Sequence, residues 1–338
     1  MPSSPILLAT RGSALALAQA NAVLAECRAV FPELAFDIKI IKTTGDKLQT
    51  ASLAQEGKNL PKGLFTKELE VALLENRADL AIHSLKDLPT ELPDGLELGA
   101  VGKRADARDV LIYRDDSYGR TAGGVASEVS GDGPVRRGFK AGLRIEDFPE
   151  AAVVATSSTR RRAQLLAHNP GLNVPDIRGN VLTRMQKLAD QAELDATVLA
   201  LAGISRLNYR IRQDGKLVGE SVPEGLLATI LDTDVMLPCV GQGAVGIEVR
   251  KGDERISSIC KRLNDYTTYQ CVTAERAFLA GMGGGCQSPV AAYAEVMADQ
   301  LRMRAISFAK GPLQRAQGNR PVIEAAALGN QLAAELKS

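Results

Sequence analysis

The sequence contains no tryptophan, and aromatic residues make up only 4% of its 338 positions. Proteins that bind single-stranded nucleic acid stack the bases on aromatic side chains, so this composition argues against that class. The charge balance argues the same way, because 41 basic and 40 acidic residues leave a net charge of only +1. Such a chain has no overall field that would attract nucleic acid or an anionic membrane. Any specificity for anions must come from local clusters of basic residues.

Long apolar runs are missing too. A membrane-spanning helix needs about 18 consecutive apolar residues, and the sequence has no such run. The first residues, MPSSPILLATRGSALALAQA, lack the order of basic, apolar and small residues that marks a signal peptide. We therefore expect a protein that is neither exported nor membrane-spanning. The five cysteines are scattered without a Cys-x-x-Cys pair, and there are only two histidines, which argues against disulfide frameworks and zinc sites. This usage predicts a reducing, cytoplasmic compartment and no metal.

What the sequence does contain is a repeated order of short apolar runs, polar turns and helical segments. Residues 6–9 form an apolar run that is followed by a polar turn and an Ala- and Leu-rich stretch. The same order recurs at residues 152–155, with a helix from Thr159, and a further strand is predicted at 174–177. Two similar α/β halves with mainly parallel sheets are predicted. Ligands bind at the carboxyl ends of parallel strands, so we expect a cleft between the halves.

The chain length predicts two or three domains. We expect domain 1 to span residues 1–104 and 228–250, domain 2 to span 105–227, and a smaller α+β domain 3 to span 251–338. Within domain 2, residues 113–149 include the Gly- and Ser-rich stretch GRTAGGVASEVSGDGPVRRGFKAG, which has no apolar period. This composition predicts a loop insertion.

Arginines cluster at the predicted strand ends of domain 2. They are Arg160, Arg161, Arg162, Arg178, Arg184 and Arg206. No acidic residue occurs between Thr156 and Leu172, whereas charges on a solvated surface usually alternate in sign. Capped helix N-termini attract anions, and guanidinium groups bind carboxylates through two hydrogen bonds. The cluster predicts a rim that binds a polycarboxylate, and a set of ordinary surface arginines is the alternative.

Two further motifs carry reactive side chains. Cys286 lies in GGGCQSP, where no apolar face would bury it, so its thiol is predicted to be accessible. Cys27, Cys239, Cys260 and Cys271 are predicted to be small buried hydrophobic residues. A cysteine hydrolase would also need a general base, but neither His83 nor His168 lies in a hydrolase pattern. We expect His168 to be exposed to solvent and His83 to shape the site.

The motif SLKDLP places the ammonium of Lys86 and the carboxylate of Asp87 together, just after a predicted strand over residues 79–83. A surface ion pair is one interpretation of this pair. Its position at the carboxyl end of a strand favours a functional role instead.

Seven motifs in this order resemble the porphobilinogen deaminase family, from about Ile6 to Glu295. They are LATRGSALALAQA, KGLFTKELEVALLENRADLAIHSLKDLPTELPDGL, ATSSTRRRAQL, IRGNVLTR, LALAGISRL, VGQGAVGIE and GGGCQSPVAAYAE. Thr159 and Cys239 depart from the family pattern, which usually has Leu and a small apolar residue there. The segment 113–149 is longer than is usual for the family.

The resemblance implies an α/β fold of two periplasmic-binding-protein-like domains plus a smaller C-terminal α+β domain. It implies that Cys286 holds a dipyrromethane cofactor in thioether linkage and that Asp87 is the catalytic carboxylate. The other cofactor-binding positions that it implies are Lys86, Ser13, Ser84, Thr156, Ser158, Arg160, Arg161, Arg184 and Arg206. Substrate-binding positions are Arg11, Arg178 and Lys62, the last in a loop over the site.

The activity implied by the resemblance is the deamination and head-to-tail condensation of four porphobilinogen molecules on the dipyrromethane primer, which releases hydroxymethylbilane. The expected partner is this small-molecule substrate, with no nucleic acid or membrane, and the expected state is a cytoplasmic monomer. A small-anion binding protein with a two-domain cleft is the alternative.

Overall fold

A computed structural model of the chain describes residues 4–44, 66–117, 137–285 and 288–338. The chain divides into two compact units. Unit 1 comprises Met1–Ala107 and Cys239–Ser338, and unit 2 comprises Arg108–Pro238. None of the helices in the described ranges combines the length and the apolar content that crossing a bilayer would need.

Unit 1 begins with a five-stranded sheet and its helices. Its elements are β1 (Ile6–Thr10), α1 (Ala14–Val30), β2 (Phe36–Ile40), α2 (Lys67–Leu74), β3 (Leu80–Ser84), β4 (Leu96–Val101), β11 (Val245–Arg250) and α6 (Glu254–Leu263). The strand order is β2-β1-β3-β11-β4. β1 pairs in parallel with β2 and β3, whereas β11 runs antiparallel to β3 and β4.

The sheet of unit 1 is built as the local sequence pattern predicts. Ser13 caps α1 by accepting a hydrogen bond from the amide of Ala16, and the helix ends where Pro32 follows its C-cap, Phe31. β3 is buried along most of its length because it is a central strand. The strands predicted at residues 6–9 and 79–83 and the helix between residues 13 and 32 are therefore confirmed.

The remainder of unit 1 is a three-stranded antiparallel sheet covered by two helices. Its elements are α7 (Tyr266–Gly281), β12 (Val290–Met297), β13 (Gln300–Ser307), β14 (Gln314–Pro321) and α8 (Ala325–Lys337). α7 and α8 pack closely, and Gly329 is required there because a Cβ would lie 2.1 Å from the carbonyl oxygen of Ala274. These elements share their own apolar core, as predicted for an α+β C-terminal domain.

The described residues of unit 2 form a four-stranded sheet, a short hairpin and three helices. Its elements are β5 (Asp109–Arg114), β6 (Val154–Ala155), α3 (Thr159–His168), α4 (Val181–Asp190), β7 (Ala196–Ala200), α5 (Leu201–Arg206), β8 (Arg210–Ile211), β9 (Leu217–Val218) and β10 (Leu226–Leu231). The strand order is β10-β5-β7-β6. α3 and α4 follow Ser158 and Asn180, whose side chains cap the two helices as the sequence predicts.

The prediction of mainly parallel sheets is wrong for unit 2, and in the sheet of unit 1 only two of the four strand pairs are parallel. In the sheet of unit 2 only β6 and β7 are parallel, whereas β5 runs antiparallel to both β7 and β10. The strand predicted at residues 174–177 is also wrong, since the one bridge there joins Asn173 to Val153. Local apolar periodicity does not encode the direction in which a strand enters a sheet, so it could not predict these pairings.

Two predicted boundaries differ from the structure. β10 pairs with β5 along its whole length, so residues 228–238 belong to unit 2 rather than to domain 1. The predicted insertion over 113–149 is wrong at both ends, because Tyr113, Leu143, Ile145 and Phe148 are buried in the core of unit 2. Residues 118–136 of that insertion lie outside the described residues.

Candidate functional site

A pocket in unit 1 forms at one edge of the five-stranded sheet. Arg11 follows the last residue of β1, and Asp87 lies three residues beyond the end of β3. Because β1 and β3 are parallel neighbours, their carboxyl ends meet at the same edge, which is where ligands bind in open α/β sheets. Both residues line a cavity of about 70 Å³. The structure thus brings together a guanidinium and a carboxylate that the sequence had placed in separate motifs.

Asp87 ends a single 3-10 turn over Leu85–Asp87, and its side chain is exposed. Lys86, the preceding residue, is half-buried. Among the described residues no ion pair joins these two side chains, so the interpretation of Lys86 and Asp87 as a surface pair is wrong. The carboxylate of Asp87 is therefore directed to the pocket without a described cation holding it.

Two serines add hydroxyl groups to the lining of this pocket. Ser13 caps α1, and the first turn of that helix carries no acidic residue that would offset its positive end. Ser84 ends β3, and its Oγ lies 3.0 Å from Nε2 and 3.1 Å from Oε1 of Gln19. Gln19 is buried, so its amide fixes the Ser84 hydroxyl at the pocket wall. A helix N-terminus, two hydroxyls and Arg11 suit the binding of a carboxylate.

Beneath the pocket lies a buried pair of His83 and Glu248. Nε2 of His83 is 2.9 Å from Oε2 of Glu248, and the two side chains are only 4% and 0% exposed. The pairing follows from the antiparallel register of β3 and β11. His83 also lines the cavity, in agreement with the prediction that it shapes the site.

The predicted anion-binding residues of unit 2 gather at the start of α3. Ser158 accepts a hydrogen bond from the amide of Arg161 at 3.4 Å. The buried hydroxyl of Thr156 accepts one from the amide of Ser158 at 3.2 Å. The first turn of α3 contains no acidic residue, so this helix end also keeps its positive character.

Arg160 and Arg161 are buried in unit 2, so the alternative of ordinary surface arginines is wrong for these two residues. Nη2 of Arg160 is 2.8 Å from Oδ2 of Asp109, and Nη2 of Arg161 is 2.7 Å from Oδ1. Arg160 also donates to the carbonyl of Leu237, and Arg161 to that of Val198. Burial would raise the pKa of Asp109, but the charges and hydrogen bonds of the two arginines outweigh it and hold that pKa well below its usual range. Two guanidinium groups and one carboxylate still leave a net positive charge.

The remaining arginines of the set are more accessible. Arg178 is exposed, Arg184 and Arg206 are half-buried, and burial lowers the pKa of Arg206. Arg184 donates from Nε to the carbonyl of Gly179 at 2.9 Å. Gly179 has φ +119°, and a Cβ there would lie 2.6 Å from Thr183, so only glycine fits between Arg178 and the start of α4.

Some of the predicted site lies outside the described residues, namely Cys286 and Lys62. Cys27, Cys260 and Cys271 are buried, as predicted. Burial raises the pKa of Cys27 to about 11 and that of Cys260 to about 12, which keeps both as unreactive thiols. Cys239 is only half-buried, so the prediction of burial is wrong there. Within the described ranges no group of His, Cys, Asp or Glu side chains could hold a metal ion.

Sequence reasoning missed several residues that shape the site. Gln19, Glu248 and Asp109 are charged or polar side chains in apolar strands or helices, and nothing in their local sequence announces a partner 51 to 165 residues away. His168 is also only half-buried rather than exposed, because its Nε2 lies 2.8 Å from the carbonyl oxygen of Val235.

Two protein-family profiles match the chain. Residues 6–258 match "porphobilinogen deaminase, dipyromethane cofactor binding domain", and residues 269–338 match "porphobilinogen deaminase, C-terminal domain". Together they cover most of the sequence and include the motifs of both units.

Similar proteins bear the same name. The chain is 42% identical over 333 residues to porphobilinogen deaminase of Desulforudis audaxviator, covering 98% of this chain and 94% of that one. It is 39% identical to the Clostridioides difficile protein of that name, covering 88% and 85%. Among solved structures, an ancestral cationic amino acid solute binding protein matches with TM-score 0.39 and 11% identity, covering 77% of this chain and 88% of that one. That likeness is too distant to bear on function.

Proposed function

The chain belongs to the porphobilinogen deaminase family, and we propose that it deaminates four porphobilinogen molecules and condenses them head to tail, releasing ammonia and hydroxymethylbilane. Its matched cofactor domain binds dipyrromethane. The observation that carries the proposal is the exposed carboxylate of Asp87 in the pocket that Arg11 also lines. A small-anion binding protein is not favoured by these matches.

Asp87 is proposed to stabilise the positive charge that develops on the substrate pyrrole. As the C–N bond breaks, ammonia leaves with the electron pair and the ring nitrogen becomes electron-poor. A carboxylate can accept the pyrrole N–H hydrogen bond and offset that charge, and its effect is larger where no cation already neutralises it. The same carboxylate is proposed to move a proton in the coupling step.

Arg11, Arg178 and Lys62 are proposed to bind substrate carboxylates. Porphobilinogen carries an acetate and a propionate, and guanidinium groups bind carboxylates through two parallel hydrogen bonds. Such contacts orient the ring, so that the coupling no longer depends on a diffusional encounter.

The cofactor fits the donor set of the described residues. Dipyrromethane carries four carboxylates and two pyrrole N–H groups, and the residues proposed to hold it offer capped helix N-termini, hydroxyls and cations, with the carboxylate of Asp87 as an acceptor. The residues proposed to hold it are Lys86, Ser13, Ser84, Thr156, Ser158, Arg160, Arg161, Arg184 and Arg206. Arg160 and Arg161 contribute as a buried positive charge under the start of α3. When bound, the group supplies the nucleophilic pyrrole carbon on which the chain grows.

Cys286 is proposed as the attachment residue. It follows the glycines that end α7, and the buried thiols of Cys27, Cys260 and Cys271 are unsuitable for attachment. The proposed working state is a cytoplasmic monomer, and a reducing compartment agrees with the free cysteines in the described part of the chain. Light scattering on the purified protein tests the proposed monomeric state, because it measures the molar mass in solution.

Intact mass spectrometry tests the proposed function. The purified enzyme should be heavier than its sequence by one dipyrromethane, and Cys286→Ala should have the sequence mass and no activity. Cys239→Ala is the matched control, because Cys239 is the half-buried cysteine among the other four. A wild-type protein with the sequence mass and no ammonia release from porphobilinogen would refute the proposal. Extra mass that persists in Cys286→Ala would refute the attachment site.

A further inference from the structure

The turn that carries Asp87 has little structure of its own. It is a single 3-10 turn, closed by the Leu88 amide donating to the Leu85 carbonyl at 3.1 Å. Leu85 and Leu88 are buried on either side of the exposed Asp87. Pro89 follows and has no N–H to donate to a neighbouring strand. The position of the Asp87 carboxylate therefore depends on what holds the residues after the turn.

Arg276 of α7 holds those residues. Its Nη1 donates to the carbonyl of Leu88 at 3.1 Å, and its Nη2 donates to those of Pro89 and Thr90 at 2.6 and 3.2 Å. The planar guanidinium can serve three consecutive carbonyls at once because its donors are fixed in a fork. Lysine has no such geometry. One side chain from the C-terminal domain thus fixes the segment directly after Asp87.

The anchor point of Arg276 is itself rigid. Its neighbour Glu275 is fully buried and accepts hydrogen bonds from Arg104 Nη1 at 2.6 Å, the Gly241 amide at 2.8 Å and the Ala294 amide at 2.9 Å. These bonds tie α7 to the loop before β11 and to β12. Arg276 therefore projects from a part of α7 that is hydrogen-bonded to the rest of unit 1.

The guanidinium of Arg276 carries its charge in a half-buried position. Burial lowers the pKa of Arg276, and the Glu248 carboxylate opposes this lowering. Glu248 is the partner of His83, the residue just before Ser84. The Asp87 turn thus lies between two charged contacts in the sequence, the buried His83–Glu248 pair before it and the half-buried Arg276 after it. An arginine remains charged at neutral pH even when its pKa is lowered.

The sequence after α7 relates this contact to the proposed reaction. α7 ends at Gly281, and Cys286 lies ten residues beyond Arg276 in the sequence. We propose that Arg276 is a positioning residue of the reaction, which sets the Asp87 turn against the helix that leads to the attachment cysteine. The inference rests on the proposed roles of Asp87 and Cys286. The inference differs from a purely structural role in one consequence: removing Arg276 should slow the reaction only while Asp87 is present.

The test compares single-turnover ammonia release by cofactor-loaded enzyme, with porphobilinogen as the probe. Arg276→Met keeps the length of the stem but removes all three hydrogen bonds, so the turn can shift. A displacement on the scale of an ångström costs about 10- to 100-fold in rate. We expect that loss in kcat, with KM within about threefold of wild type because Arg11 and Arg178 are untouched.

Arg250→Met is the matched control. Arg250 is another arginine of unit 1 that serves backbone carbonyls, donating to those of Leu73 and Ala78 at 2.9 and 2.6 Å. Neither of those residues lines the Asp87 pocket. The variant should lose stability but release ammonia at the wild-type rate at temperatures where it is folded. A loss of kcat equal to that of Arg276→Met would overturn the proposal, since any missing carbonyl contact would then slow the reaction.

A double-mutant cycle separates positioning from a general structural role. If Arg276 acts through Asp87, Arg276→Met should cost little further rate in an Asp87→Asn background. Full additivity overturns the proposal, as does a wild-type kcat for Arg276→Met while Asp87→Asn is slow. A wild-type rate for Asp87→Asn itself would instead overturn the proposed function.

If Arg276→Met fails to fold or lacks the cofactor mass, the Arg276→Lys variant is used to test the proposal. It should fold and show an intermediate rate, and a wild-type rate or a missing cofactor in that variant overturns the proposal.

Discussion

The guanidinium of Arg160 lies 2.8 Å from the carboxylate of Asp109, and both side chains are buried in unit 2. Removing one member of a buried ion pair leaves the other without full compensation, which costs about 3 to 5 kcal/mol. Arg160 is thus part of the core of this unit as well as of its charged face. Arg178, from the same predicted rim, is exposed.

This difference predicts two distinct phenotypes. Arg160→Leu should lower the free energy of unfolding by about 3 kcal/mol or more. Arg178→Leu should leave it within about 0.5 kcal/mol, while impairing cofactor assembly or chain elongation. Denaturant unfolding and intact mass measure the two effects separately.

Arg162→Leu is the control for this comparison. Arg162 lies beside Arg160 and Arg161 on α3, but it pairs with Asp176 near the surface, 2.6 Å away. Its loss should cost no more than about 1 kcal/mol. Equal stability of the Arg160 and Arg162 variants would contradict the burial argument, and normal elongation by Arg178→Leu would make Arg178 an ordinary surface charge.

The Asp109 pair also predicts how stability depends on pH. The two arginines hold the pKa of Asp109 below its usual range in the folded state, whereas in the unfolded chain it is about 3.9. A depressed folded-state pKa gives stability that is present above the unfolded pKa and is lost as the pH falls toward the folded pKa. The stability advantage of wild type over Asp109→Asn should therefore be constant from pH 7 to about 5 and shrink below about pH 4.

Urea unfolding of both proteins at several pH values checks this expectation. Asp176→Asn is the matched control, since its carboxylate is largely exposed and its loss should give a small difference at all pH values. A gap between wild type and Asp109→Asn that stayed constant down to pH 3 would show that the Asp109 charge does not contribute in this way.

The same pair shows what local sequence reasoning can reach. The strand, cap and helix around Ser158 were predictable because each is specified by neighbouring residues. The absence of acidic residues near Arg160 suggested a cluster of arginines without a counter-ion of the protein's own, yet the counter-ion of Arg160 lies 51 positions earlier, on β5. Likewise, Arg11 and Asp87 could be placed at strand ends, whereas the contact of Arg276 with the Asp87 turn joins residues 188 positions apart. Such contacts depend on tertiary packing that no local period encodes.

Residues 118–136 should be dispensable for turnover. The two flanks of this segment are already joined, since the Phe139 amide donates to the Arg114 carbonyl at 2.8 Å and the Asp116 amide to the Phe139 carbonyl at 3.1 Å. A linker of about six Gly and Ser residues can close such a short gap. We expect turnover within about twofold of wild type and equal or slightly higher stability, because a shorter loop costs less closure entropy.

A longer deletion, over residues 118–142, is the control. It removes Phe139, whose ring centroid lies 5.1 Å from that of Phe148 in the core of unit 2. This variant should be destabilised by about 1 to 3 kcal/mol, because Phe139 is half-buried against that core and the hydrogen bonds that join the two flanks are lost with it. A collapse of turnover in the shorter deletion, with unfolding unchanged, would instead make the segment a lid over the site.

Asp87→Asn provides the last prediction, because here a structural and a catalytic role differ most in outcome. Asp87 is exposed and has no ion-pair partner among the described residues, so its loss should change the free energy of unfolding by no more than about 0.5 kcal/mol. The amide keeps the size and one acceptor oxygen of the carboxylate but removes its charge. Losing a preorganised group that offsets developing charge slows the chemical step by about 100- to 1000-fold.

The measurement is single-turnover ammonia release by protein that already carries the cofactor, so that a defect in assembly is not mistaken for one in chemistry. Asp94→Asn, an exposed aspartate on the loop before β4, is the control and should behave as wild type. Because the arginines are unchanged, Asp87→Asn should still bind porphobilinogen, and the defect should appear in kcat rather than in KM. A rate within a few-fold of wild type would remove Asp87 from the mechanism, since an exposed carboxylate that can be neutralised at no cost does no electrostatic work in the transition state.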